Sequence, residues 1–157
     1  MSTLFGEIHH SGLNVSDLDR SLNFYMNILG LEQLFEPQEA WGTPVEEATK
    51  TPGAKTRFTM LKSHKGGAIL ELIQYESPKA KPSELKISDT GAPHLAFKVD
   101  NIDEAKKELE SKGMKFNGSP IRVDDGPLKG RAFVYFSDPD GLTLELFQET
   151  KPHPGTS

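Results

Sequence analysis

The chain contains no cysteine, so disulfide bridges, thiolate nucleophiles and zinc–thiolate centres are excluded from its chemistry. Positive charge is also in short supply. Lys and Arg number 18 against 23 Asp and Glu, a net charge of −5, and the basic residues are scattered rather than striped along one face. That pattern offers no electrostatic footprint for nucleic acid or an anionic membrane. No apolar run approaches the roughly 18 residues of a membrane span, and MSTLFGEIHH lacks the basic start and apolar core of a secretory signal. The expectation is a cytoplasmic protein with no membrane or nucleic-acid partner. Its 157 residues suffice for one domain, or for two small halves sharing a core.

The chain repeats itself. His10-Ser-Gly-Leu-Asn-Val-Ser-Asp-Leu-Asp19 aligns with His94-Leu-Ala-Phe-Lys-Val-Asp-Asn-Ile-Asp103 at an offset of 84. Leu70-Glu-Leu-Ile-Gln74 aligns with Leu144-Glu-Leu-Phe-Gln148 at an offset of 74. The first half therefore carries about ten extra residues, which we place in Glu36–Thr56. That stretch holds Pro37, Gly42, Pro44, Pro52 and Gly53, the punctuation of a loop rather than a strand.

Periodicity then predicts the elements. Ile8–Val15 reads as a strand. A helix over Leu18–Leu29 is capped by Ser16 or Asp17, presents Leu18, Leu22, Tyr25, Met26 and Leu29 on one face, and stops at Gly30. Leu31–Phe35, Arg57–Lys62 and Ala68–Tyr75 read as three further strands. The second half repeats the order with His94–Val99, a helix near Ile102–Ser111 ended by Gly113, then Met114–Phe116, Ala132–Ser137 and Leu142–Gln148. The expected fold class is α+β, with two βαβββ modules forming a curved mixed sheet around a metal-binding cleft. Module one covers about 7–76, a Pro-, Lys- and Ser-rich linker about 77–91, module two about 92–149 and a tail 150–157, all within a single domain.

Four side chains point to the chemistry. Strand alternation places Glu71 on the face opposite Leu70 and Leu72, and Glu145 on the face opposite Leu144 and Leu146. A carboxylate inside an apolar strand is costly unless it is paired or bound to a cation. A lone strand Glu is more often solvent-facing and a lone His more often structural. Here, however, a His on the first strand and a Glu on the last recur in both halves. His10, Glu71, His94 and Glu145 make an N2O2 set whose charge cancels a divalent ion, Ni, Co, Mn, Fe, Zn or Mg. Asp138-Pro-Asp-Gly141 is read as a tight turn with Asp side chains bonding its backbone.

With these residues in place, the chain resembles the vicinal oxygen chelate superfamily, which includes glyoxalase I, methylmalonyl-CoA epimerase, extradiol dioxygenases and the bleomycin and fosfomycin resistance proteins. HSGLNVSDLDRSLNFYMNILGLE and FSDPDGLTLELFQ carry the resemblance, over about Ile8 to Glu149. It implies His10, Glu71, His94 and Glu145 as successive metal ligands, a set most similar to that of bacterial glyoxalase I.

The implied activity is proton transfer on a small substrate with two adjacent oxygens chelated to the metal, as in a glyoxalase I-like lyase, isomerase or epimerase. Glu145 or Glu71 would then serve as the catalytic base. An Fe(II) extradiol-type dioxygenase and a non-catalytic, antibiotic-sequestering protein are the alternatives, and the resemblance also implies a homodimer. The loop with Trp41, Val45, Glu46 and Glu47 is longer than in compact bacterial glyoxalases, and no evident basic set matches the glutathione carboxylates. A different substrate is expected. Trp41 and Phe58 are candidates to line a lid over it, and Arg57, Lys129 and Arg131 to bind a substrate carboxylate, against the plainer readings of packing and solvated charge. His64, in the turn SHKGG, and His153, in a Pro-rich tail, are read as incidental.

Overall fold

The computed structural model describes residues 6–149. The predicted tail 150–157, with His153, lies outside them. Two compact units divide after Pro82.

The first unit runs β1 (His10–Asn14), α1 (Leu18–Leu22), β2 (Glu32–Gln33), β3 (Gln38–Trp41), α2 (Thr43–Thr49), β4 (Lys55–Lys62) and β5 (Ile69–Ser77). Its mixed sheet has the order β1-β5-β4-β2, with β3 also pairing β4; β1 lies parallel to β5 and the other pairs are antiparallel. Alternation sends Leu13, Leu70 and Leu72 to one face, where they are buried together with Val15 and α1 residues Leu18 and Ser21. Asp17 caps α1 by accepting from the Arg20 N–H at 2.9 Å, and the Leu18 N–H donates to Gln74 Oε1 of β5 at 2.7 Å.

The predicted helix continues past Leu22, but as a π-helical turn over Asn23–Ile28. The wider turn shifts the register of the apolar face. Phe24 and Tyr25 are therefore both buried, edge to face at 5.0 Å, while Leu22, Met26 and Leu29 are half-buried.

The reading of Glu36–Thr56 as loop is corrected, since β3 and α2 both lie within it. Gly42, at φ 82°, turns the chain off the sheet edge, and Pro44 stands in the first turn of α2, where its missing N–H leaves no bond unmade. The prolines and glycines mark the ends of these elements rather than forbidding them.

The second unit runs β6 (His94–Val99), α3 (Ile102–Ser111), β7 (Ile121–Arg122), β8 (Ala132–Ser137) and β9 (Thr143–Gln148), in the sheet order β6-β9-β8-β7. Again the first and last strands are parallel. The duplication extends to the hydrogen bonds. Asn101 caps α3 at the position of Asp17, and the Ile102 N–H donates to Gln148 Oε1 at 2.8 Å as Leu18 does to Gln74. Both helices thus dock their first turn on an amide from the last strand of their own unit. Ile102, Leu109, Val134, Phe136, Leu144 and Leu146 are buried between helix and sheet.

The predicted strand Met114–Phe116 reduces to one bridge, Phe116 to Phe136; the paired strand is β7, several residues later. Asn117-Gly118-Ser119-Pro120 explains the break, because Gly118 takes φ 148° and Pro120 has no N–H for the ladder. Residues 78–93 form turns without helix or strand.

Candidate metal and active site

In each unit the sheet face away from the helix carries the candidate His and Glu. In the first unit His10, Gly12 and Asn14 of β1 stand beside Ile69, Glu71 and Ile73 of β5, and Met60 and Phe58 of β4 stand opposite Glu71 and Ile73. Paired residues share a face, so these eight line one surface. His10 Nε2 lies 3.5 Å from Glu71 Oε2. On its other side His10 Nδ1 is 2.9 Å from Nδ1 of His9, whose ring meets it edge-on, which fixes the ring with Nε2 toward the carboxylate. A Cβ at Gly12 would stand 3.5 Å from Glu71 Oε2, so the glycine leaves space beside that carboxylate.

The second unit repeats the arrangement. His94 and Ala96 of β6 stand beside Thr143 and Glu145 of β9, with Tyr135 of β8 opposite Glu145. His94 Nε2 is 3.3 Å from Glu145 Oε2, and the Tyr135 ring meets His94 edge-on at 6.0 Å. Glu145 is the more enclosed carboxylate, its side chain 8 % exposed against 18 % for Glu71. Burial pushes its carboxyl above the ordinary range, partly offset by the neighbouring His94. Burial, and then the charge of Glu145, push the Tyr135 phenol up as well.

The turn Asp138–Gly141 fixes the β8–β9 register and hence the meeting of Tyr135 with Glu145. Asp138 Oδ1 accepts from the Asp140 and Leu142 N–H groups at 2.9 and 2.8 Å, and Gly141 takes φ 86°.

Two ligands about 2.1 Å from one tetrahedral ion stand roughly 3.4 Å apart, and about 3.0 Å apart around an octahedral one. The separations of 3.5 and 3.3 Å fit two donors of one cation. Imidazole nitrogen with carboxylate oxygen is a donor set for a borderline divalent ion. Among the described residues of either unit, no third His, Asp or Glu joins the pair to form a metal-holding group.

The candidate substrate residues separate. Phe58 is half-buried on the Glu71 face, its ring edge-on to Phe35 at 6.1 Å. Trp41 is 63 % exposed and stands opposite Lys55, on the face that carries Arg57. Arg57 makes a two-pronged bond to Asp19 of α1 at 3.0 and 3.1 Å, on the helix side of the sheet. Arg131 is on the Glu145 side, beside Glu149. Lys129 is exposed, and His64 pairs with Glu32 at 3.0 Å on the surface.

Sequence reasoning missed Tyr135, Lys98 and Glu149, all on the Glu145 face. The hairpin register set by Asp138–Gly141 was the signal that could have found Tyr135.

Residues 7–146 match the Glyoxalase/Bleomycin resistance protein/Dioxygenase superfamily. The chain belongs to that superfamily. Among its relatives, a 2-epi-5-epi-valiolone epimerase from Actinomyces sp. is 34 % identical over 146 residues, covering 88 % of this chain and 77 % of that protein. A lactoylglutathione lyase from Escherichia coli O157:H7 is 31 % identical, covering 89 % and 90 %. A glyoxalase family protein from Bacillus cereus shares the fold with a TM-score of 0.78 at 17 % identity, over 96 % of this chain and 100 % of that one. The two mixed sheets with few helices are thus the fold of this superfamily.

Proposed function

We propose that this superfamily member is a metal-dependent enzyme that moves a proton on a small substrate bearing two adjacent oxygens, as a glyoxalase I-like lyase or isomerase or as an epimerase. The observation that carries this reading is the repeated His–Glu pair, at 3.5 Å in one unit and 3.3 Å in the other. In the proposal His10, Glu71, His94 and Glu145 together hold one divalent cation, the two pairs coming from one chain or from two copies in a homodimer. When bound, the cation supplies Lewis-acid polarisation of the substrate oxygens and so acidifies the adjacent C–H.

The chain's own groups handle the proton. Glu145, set in an apolar face with its carboxyl pushed up by burial, accepts a proton more readily than an exposed carboxylate does. Glu71, with the space beside Gly12, serves the opposite face of a substrate that is inverted or isomerised. The half-buried aromatic and aliphatic neighbours Phe58, Ile73, Phe133 and Phe147 limit access of water to the reacting carbon. The epimerase and lyase among the relatives support this class of chemistry.

The test combines metal analysis of protein purified without chelator with solvent exchange. A panel of 2-oxo aldehydes, acyl-CoA thioesters and catechols is incubated in D2O with the metal-loaded protein and followed by NMR. Deuterium entry next to a carbonyl, lost in Glu145→Gln, is the expected result. Oxygen uptake with a catechol and no exchange would replace this reading by a dioxygenase.

A further inference from the structure

The Glu145 face holds groups that neither the His94–Glu145 pair nor the hairpin turn uses. Along β8 and β9 from Tyr135 and Glu145, the next residues on that face are Phe133 opposite Phe147. Beyond them lies a charged cluster. Glu149, 12 % exposed, meets Lys98 Nζ at 2.8 Å and Arg131 Nε at 3.8 Å, while Arg131, 11 % exposed, donates through Nη1 to the Pro127 carbonyl at 2.7 Å.

Among the described residues two cations thus face one carboxylate, a surplus of one positive charge, and the bonds that fix Arg131 use Nε and Nη1 rather than Nη2. The first unit shows that packing does not require these charges. At the corresponding places it has Asn14 for Lys98, Tyr75 for Glu149, and Thr56, the partner of Tyr75, for Arg131. Ordering and desolvating an Arg and a Glu here is costly, and the neutral version holds the other sheet together without that cost. Both units have the His and the Glu, and only one has the charged cluster.

The strand spacing also measures the site. Glu149 lies four positions beyond Glu145, about 13 Å at the usual rise, with aromatic rings between.

We propose that Arg131, steadied by Glu149 and accompanied by Lys98, binds a carboxylate at the far end of the substrate whose reacting oxygens lie at His94 and Glu145. The substrate is then an extended acid with an apolar middle, rather than a small neutral dicarbonyl. A single surplus charge matches a monoanion better than a doubly charged phosphate. This inference rests on the reading of His94 and Glu145 as metal ligands.

The test is calorimetric titration of the nickel-loaded full chain with three hydroxamates, which chelate metals through adjacent oxygens: acetohydroxamate, suberic acid monohydroxamate and the methyl ester of the latter. The acid is expected to bind the wild type about tenfold more tightly than the ester. Arg131→Gln and Lys98→Gln should each shrink that preference several-fold and leave acetohydroxamate binding unchanged. Equal binding of acid and ester by the wild type overturns the inference, as does a preference that survives both substitutions. If Arg131→Gln does not fold, the exposed Lys98→Gln and the wild-type acid-to-ester ratio decide. Failure of acetohydroxamate to bind the wild type overturns the metal reading itself, and this inference with it.

Discussion

At Glu145 the fold holds a carboxylate where its charge is unwelcome. Because its pKa is raised in the folded state, the folded chain binds more protons than the unfolded one above the ordinary carboxylate range. Metal-free protein therefore loses stability as pH rises through that window. Glu145→Gln removes the charge and keeps the shape, so in chelator-treated protein at pH 7 it should raise Tm by roughly 2–4 °C. The same variant should lose most of the Tm gained on adding a divalent cation. Scanning calorimetry of the two forms checks both, and a lower Tm for the metal-free variant would mean that His94 alone repays the burial.

Asp19 shows the opposite sign. The Arg57 hydrogen bond holds its carboxyl below the usual 3.8, so that contribution is present above this value and is lost as pH falls through the folded one. Asp19→Asn should lower the urea midpoint at pH 7, and by progressively less as the pH is taken down below 3.8. The two His–Glu pairs were legible in the sequence because duplication writes the His and the Glu twice. Lys98, Tyr135 and Glu149 were not, since their neighbourhood with Glu145 exists only once strands pair in a definite register.

The helices depend on side chains remote in sequence. Gln74 and Gln148 each satisfy the first N–H of a helix from across the sheet, a long-range cap that no local capping motif reveals. Gln148→Ala should cost about 1 kcal/mol in urea unfolding, and Gln74→Ala a similar amount. Asp138→Ala should cost about 1–3 kcal/mol, because a buried carboxylate and two turn N–H groups lose each other. Strand alternation and helix periodicity located the sheet strands beside the candidate site and the helices α1 and α3. The π-helical turn escaped, because a widened turn leaves the 3.6-residue pattern of Leu18, Leu22 and Tyr25 intact in the sequence while moving Phe24 inward. β3 and α2 escaped because proline and glycine were taken as breakers where they act as boundaries.

On the scale of the molecule, each unit has its own sheet, its own buried core and its own His–Glu pair. If the pairs act together, plasma emission analysis should count one tightly bound cation per chain, and His10→Ala and His94→Ala should each abolish it. Two weak sites per chain, each lost with one histidine, would mean that the pairs work alone. Light scattering in the presence and absence of metal tests the proposed homodimer. The charge of −5 predicts no retention of the protein on DNA resin at low salt.

The two pairs differ in their strand neighbours, and one of the differences is a single methyl. Ala96 carries one beside Glu145, whereas Gly12 leaves that volume empty beside Glu71. A Gly12→Ala exchange fits at ordinary van der Waals distance, so a single mutational step can fill the space beside Glu71 as Ala96 does beside Glu145. Among the differences between the two pairs, the space beside Glu71 is one that a single methyl removes.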